Sequence, residues 1–336
     1  MSQAFVETTA PETPADPGIR RQKVVRLLVQ FFGMGFFYLL IVVSLSFASP
    51  FFLTWSNAAN VLTNVTVIGI VSLGQSLAII SGGFDLSVAG VLPLGSVLFA
   101  LFSNAGMNVP AAIALVIIIG AVVGLINGLI VTKIRISPLI VTLGTLSITG
   151  GLAYAVTDGV TVPLANVEAG VLADPAFASV PAYVVAFVAL ALAGTFLLNF
   201  TVYGRMLYAV GGNSEASRLA GIRVDLVTIS VYVLCGSLSA FAGVVVASQL
   251  LAGSATVGSD VALSSITAVV LGGASLSGGV GNIGGTLIGV LILGTVANGL
   301  ALLHVPAFYQ QIVTGTILLI GVSFARLREV LAREDS

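Results

Sequence analysis

The sequence is short of charge, cysteine and histidine, and each shortage removes a class of function. Asp, Glu, Lys and Arg make up 7% of 336 residues against 57% apolar ones, too little polar material to cover a water-soluble globule. Twelve Lys and Arg against thirteen Asp and Glu leave a net charge of -1, so there is no basic surplus to neutralise nucleic-acid phosphates. The lone cysteine, Cys235, has no partner for an internal disulfide, and the lone histidine, His304, cannot supply the clustered ligands of a protein-built zinc site. Nucleic-acid binding, metalloenzyme and disulfide-scaffold readings fall away, and no metal or cofactor is expected. A mean hydropathy of +1.14 leaves an integral membrane protein.

Charge is absent over long runs: Leu27 to Phe84, Leu86 to Thr132, Ile136 to Thr157, Pro175 to Gly204, Leu226 to Ser259 and Val261 to Ala325. A spanning helix needs roughly 20 apolar residues. Barrel strands would alternate polar and apolar, whereas VIGIVSLGQSLAII and ALVIIIGAVVGLINGLIV are apolar on all sides. The expected fold is therefore all-α, a polytopic membrane bundle of about ten transmembrane helices. Crossings are predicted near 28–49, 60–80, 88–104, 111–131, 137–157, 181–200, 227–250, 261–275, 283–303 and 307–325.

The cations fall into four clusters: Arg20, Arg21, Lys23 and Arg26; Lys133 and Arg135; Arg205, Arg218 and Arg223; Arg326, Arg328 and Arg333. Even numbers of crossings separate them, so all twelve share one face, which the positive-inside tendency assigns to the cytoplasm together with both termini. An eight-crossing bundle satisfies the same parity. The first apolar stretch is too long for a cleavable signal, whose apolar region runs about 7 to 15 residues, and reads as a retained anchor. Residues 1–26 read as a disordered cytoplasmic tail, 27–325 as the transmembrane domain and 326–336 as a second cytoplasmic tail. The stretch from Asp158 to Val180 is the longest outer loop, and Trp55 and Tyr183 near the outer boundary suit the aromatic belt.

Two predicted helices are short or interrupted: 88–104 carries Pro93 and Gly95, and 261–275 ends in Gly272 and Gly273. Each adjoins one copy of a G-G-x-x-L-S pattern, GGFDLS with Gly82, Gly83 and Ser87, and GGASLS with Gly272, Gly273 and Ser277. Broken helices at matching places in two halves point to a transporter's central pathway; the plainer reading is that small residues permit tight packing in lipid. The serines are expected to cap helix starts. Asp85, inside the first copy, is an expensive group at mid-bilayer and reads as a helix cap rather than a proton carrier. Asp158 and Asp260 fall at outer helix ends, so an ion-coupled carrier lacks paired intramembrane acids.

The segment from Tyr203 to Asp225 is expected to hold a short helix at about 213–221. Asn213 or Ser214 caps it, Glu215 and Ala216 favour its first turn, Arg218 its last, and Gly221 its end. So short a helix needs a partner surface.

GGFDLSVAGVL, GGNSEASRLAGIRVDLVTISVYVLCGSLSAFAG and TAVVLGGASLSGGVGNIGGTLIGVLILG resemble, in order and spacing, the membrane permease subunit of bacterial ABC importers for ribose and related sugars. The resemblance runs from about Val61 to Phe324. It implies a homodimer or a dimer of close relatives, an ATPase subunit with two nucleotide-binding domains, and an extracytoplasmic substrate-binding protein. Glu215, Ala216 and Gly221 match the family's EAA-type loop, while Ser217 replaces its second Ala and the downstream Ile-x-Leu-Pro is missing. The short helix would then be the cytoplasmic coupling helix that docks into the ATPase, with Arg218 and Arg223 available for acids there. The chain has no G-x-x-x-x-G-K-[ST] loop of its own, and catalysis by it is not expected.

Pathway candidates are the neutral polar side chains Asn64, Ser72, Gln75, Ser76, Asn127, Thr142, Thr145, Ser248, Gln249 and Asn298, with Asp85 beside them and Phe84 and Phe241 as stacking faces. Most should prove to be interhelical hydrogen bonds. Asn64, Ser72 and Gln75 fall on one helical face, the first choice for the pathway. The sugar itself stays open, and a nucleoside, inositol or quorum signal would fit the same architecture.

Overall fold

The computed structural model describes residues 34–306 apart from 178–179, together with 308–313, 315–317, 319 and 323. The expected tails at 1–26 and 326–336 and the terminal basic clusters lie outside the described residues. The chain folds as a polytopic helical bundle: α1 (Met34–Ala48), α2 (Trp55–Ile80), α3 (Val88–Asn104), α4 (Val109–Leu129), α5 (Pro138–Ala155), α6 (Ala182–Phe200), α7 (Val202–Gly212), α8 (Ser214–Leu219), α9 (Val224–Leu250), α10 (Val261–Leu271) and α11 (Ile283–Leu302).

Each of the first nine predicted crossings coincides with a helix. Among the described residues six helices are long and apolar enough to span a membrane: α2, α4 with its extension to Ile134, α5, α6, α9 and α11. The helices α1, α3 and α10 are shorter. The described residues of the predicted crossing at 307–325 are helical.

The centre of the bundle is α9, which packs on α2, α3 and α4. Lipid tails are as apolar as leucine, so helices in a bilayer associate through close backbone approach rather than water exclusion. The sequence provides for that on α4, where Gly120, Gly124 and Gly128 fall on one face against α9. A Cβ at Gly124 would run into the carbonyl oxygen of Tyr232, and one at Gly236 into that of Gly120. Where side chains replace backbone at the seam they are compact: Cys235 Sγ donates to the Gly74 carbonyl oxygen at 3.1 Å, joining α9 to α2.

At one end α4 loosens into a π-helical turn, Ile130–Ile134, and Arg135 takes a left-handed φ of 62° before Pro138 opens α5. At the other end the loop from 156 to 181 is folded back rather than free. Its strand β1 (Val162–Pro163) pairs antiparallel with β4 (Ala252–Gly253), and β2 (Pro175–Phe177) pairs with β3 (Val180–Pro181). A 3-10 turn over Val167–Ala173 is held to the end of α9 where Ser248 Oγ donates to the Ala169 carbonyl at 3.1 Å.

Two expectations divide here. Trp55 is exposed, as an aromatic-belt residue must be, but Tyr183 is only 3% exposed and hydrogen-bonds Thr63 Oγ1 at 3.2 Å. Its phenol therefore packs α6 onto α2 instead of facing the membrane boundary. Lys133 and Arg218, from two different basic clusters, both reach Asp225, at 2.7 and 3.3 Å. Those two clusters thus lie at the same end of the bundle, as the parity of crossings requires.

Candidate functional site

The repeated pattern is a repeated local structure. In the first copy the Asp85 Oδ1 accepts from the Ser87 backbone N–H at 2.9 Å and from the Ser87 hydroxyl. In the second, Ser275 Oγ accepts from the Ser277 backbone N–H at 3.2 Å. The fourth residue of each copy thus closes a turn on the sixth, a standard use of short oxygen-bearing side chains.

This corrects the expected role of the serines. Ser87 Oγ accepts from no helix N–H and donates to Asp85 instead, so the acid does the capping. Ser277 stands at no helix start: α11 opens only at Ile283, where Asn282 Oδ1 accepts from the Gly285 N–H at 2.6 Å. The glycines differ as well. In the first copy Gly82 takes the left-handed φ, in the second Gly273 does, and Gly272 ends α10 where a Cβ would strike the backbone of Gly285.

The segments beside the two copies meet. Gly279 N donates to the Ile80 carbonyl at 2.8 Å, so the loop after the second copy closes onto the end of α2 that leads into the first. The end of α7 is wedged between them: a Cβ on Gly211 would strike the Ile80 carbonyl and lie 2.7 Å from Gly279 N. Only backbones without side chains can meet this closely.

Directly after that wedge comes α8. Of the two candidate caps the structure selects Asn213, whose Oδ1 accepts from the Ala216 N–H at 2.9 Å. At the other end Ile222 N donates to Ser217 O and Gly221 N to Arg218 O, both at 3.0 Å, with Gly221 at φ +85°, the Schellman arrangement. Ser217 is 5% exposed, whereas Glu215, Ala216, Arg218 and Gly221 are exposed. Arg218 is held within the chain by Asp225. Leu219, which the sequence reading passed over, is 89% exposed. Its signal was present as the one large apolar side chain in an otherwise small and polar helix. A cleft of about 550 Å³ separates α8 from the first repeat copy, lined by Gly82, Gly83, Arg135, Glu215, Arg218 and Asp225 among others.

Most pathway candidates are structural hydrogen bonds. Thr145 donates to Asn127, whose Nδ2 donates to Ser87 Oγ at 3.0 Å, so α5, α4 and the capped start of α3 form one hydrogen-bonded chain ending at Asp85. Ser76 pairs with Thr286 at 2.8 Å and Asn298 with Asn57 at 2.9 Å, both joining α2 to α11. Thr142 bonds its own helix at Pro138 O, and Gln249 reaches Thr63 O only at 3.5 Å. Phe84 packs against the cluster of Ile79, Val269 and Ala274.

Ser72 and Gln75 are different. Both are fully buried, yet Ser72 Oγ and both polar atoms of Gln75 make no hydrogen bond. Asn64, on the same face of α2, is exposed.

Comparison with known proteins decides the family. Residues 57–322 match the family described as the branched-chain amino acid transport system permease component. The chain belongs to that family. Relatives of this permease include the ribose import permease protein of Bacillus subtilis, 42% identical over 303 residues, 87% of this chain and 91% of the relative. The L-arabinose ABC transporter permease protein of Azospirillum brasilense is 36% identical over 335 residues, 98% of this chain and 97% of the relative. The ribose import permease protein of Escherichia coli K12 is 38% identical over 290 residues, 84% and 90% of the two chains. No solved structure matches. The permease is a multi-pass membrane protein, and its repeat copies and α8 fall inside the matched region.

Proposed function

We propose that this permease is the transmembrane subunit of an ATP-driven importer that moves a pentose- or hexose-type sugar across the cytoplasmic membrane, with both termini in the cytoplasm. Its partners are an ABC ATPase with two nucleotide-binding domains, an extracytoplasmic substrate-binding protein and a second permease copy. Residues 27–325 form the transmembrane domain, flanked by two cytoplasmic tails. The sugar reading rests on relatives named for ribose and arabinose import that align with nearly the whole chain. The chain contributes no catalysis; nucleotide hydrolysis belongs to the ATPase.

The observation that carries the mechanism is α8: a six-residue helix capped at both ends and presenting Leu219 to solvent. A helix this short is not stable by propensity, so its capping makes it a rigid body suited to a groove. In this reading α8 is the coupling helix, Glu215, Ala216 and Arg218 edge the contact, Gly221 fixes its exit and Leu219 anchors it. Closure of the ATPase moves α8 and with it the glycine wedge at Gly211.

The pathway is assigned to the face of α2 that runs from exposed Asn64 to buried Ser72 and Gln75, with Gln249 across from it. Buried polar groups without partners are costly in a membrane interior, about 1–3 kcal/mol each by analogy with soluble proteins. A face that closes between substrates and takes up bonds with sugar hydroxyls when open accounts for them.

The test is reconstitution in liposomes with the cognate ATPase and binding protein. ATP-dependent accumulation of radiolabelled ribose or arabinose is expected. Absence of uptake of either, with an intact complex, defeats the sugar assignment.

A further inference from the structure

Two tyrosines given no role above hold the first repeat copy and the loop that follows the second. Tyr208, on α7, donates its phenol to the carbonyl of Gly281, in the loop that follows the second copy, at 2.7 Å. Tyr232, on α9, donates to the carbonyl of Phe84, inside the first copy, at 3.3 Å. These are the two helices that flank α8 in the chain. Neither acceptor belongs to a helix, so neither carbonyl has a ladder partner, and irregular backbone inside a membrane bundle must find one elsewhere. Tyr232 is 1% exposed, and Gly83 passes so close beneath it that a Cβ there would lie 2.9 Å from the hydroxyl. Phenylalanine would fill the same space at both positions; the hydroxyl is accounted for by the carbonyl it meets.

We propose that Tyr208 and Tyr232 are positioning residues, Tyr232 tying the first G-G-x-x-L-S copy and Tyr208 the loop that follows the second to the two flanks of α8, so that displacement of α8 reaches both loops together. The inference rests on the coupling role proposed for α8. The Gly279 to Ile80 hydrogen bond closes the set by joining the loops to each other. Pulling α7 draws the second loop through Tyr208, pulling α9 draws the first through Tyr232, and the short helices α3 and α10 attached to those loops follow.

The variants are Tyr208→Phe and Tyr232→Phe, read in two ways. Hydrogen exchange on the purified permease, without ATPase, should show faster exchange of amides 276–283 in Tyr208→Phe with 81–87 unchanged, and the reverse in Tyr232→Phe. In liposomes with the ATPase and binding protein, each variant should bind the ATPase normally while ribose or arabinose moved per ATP hydrolysed falls roughly three- to tenfold, the scale of one buried hydrogen bond. Wild-type exchange in both loops, loosening of both loops alike in each variant, or unchanged solute per ATP would each overturn the proposal. If the wild-type assembly hydrolyses ATP without moving either sugar, the transport reading fails instead, and the tyrosine ties stand or fall on the crosswise exchange pattern.

Discussion

Asp85 shows how an expensive residue is kept in a membrane protein. Its Oδ1 takes both donors of Ser87, the Ser87 hydroxyl in turn accepts from Asn127, and the carboxyl is fully buried at the start of α3. A capping role needs an acceptor at Oδ1 but no titratable group. Asp85→Asn is therefore expected to keep expression and sugar uptake near wild type. Asp85→Leu leaves the Ser87 N–H unpaired, which costs about 1–3 kcal/mol, and should lower the yield of folded protein. Uptake assays at matched expression decide the matter: a folded but inactive Asp85→Asn would restore the proton-carrier alternative. Gln75 poses the opposite case, a buried side chain with no partner to lose. Gln75→Leu should leave thermal stability unchanged or raised and should reduce uptake; wild-type uptake would remove Gln75 from the pathway.

At the level of single elements, α8 and the α4–α9 seam make separate predictions. Gly221 sits at φ +85° with nothing beside the position of its missing Cβ, so a side chain there meets backbone strain and no clash. Gly221→Val should leave membrane insertion intact while the Schellman exit of α8 is lost and substrate-stimulated ATPase activity is abolished. Coupled ATPase activity in that variant would remove α8 from the lever role. Leu219→Ala should weaken ATPase binding on the order of tenfold, since burying a leucine side chain contributes about 1.5–3 kcal/mol, and co-purification titrations would measure it. At the seam, Gly124→Leu collides with the Tyr232 carbonyl, where the backbone cannot yield, and should prevent accumulation of folded protein altogether.

For the whole molecule, the division of labour is testable by subtraction. The described residues hold no group of three or more His, Cys, Asp or Glu placed to bind a metal, and the sequence has no phosphate-binding loop to harvest ATP. Liposomes containing this chain by itself should not concentrate ribose or arabinose under a proton or sodium gradient. Accumulation there would make it an ion-coupled carrier and not half of a pump.

Composition and the spacing of rare charges determined the membrane class, the helical fold and most element boundaries, because a bilayer imposes one length and one polarity on every crossing. The start of α3 at Val88 and of α10 at Val261 and the shortness of α10 were legible for that reason, whereas the Gly221 exit of α8 was legible from glycine's tolerance of a left-handed φ at a helix end. Which polar side chains find partners was not legible. Ser76, Asn127 and Asn298 pair with Thr286, Ser87 and Asn57, each far away in sequence, while Ser72 and Gln75, of the same chemical kind, pair with nothing. Periodicity places a residue on a face of its own helix but says nothing of what the neighbouring helix brings opposite. For the same reason only the tertiary structure could withhold the capping role from Ser87 and Ser277, bury Tyr183, and bring the segments beside the two distant G-G-x-x-L-S copies together across Gly279 and Ile80.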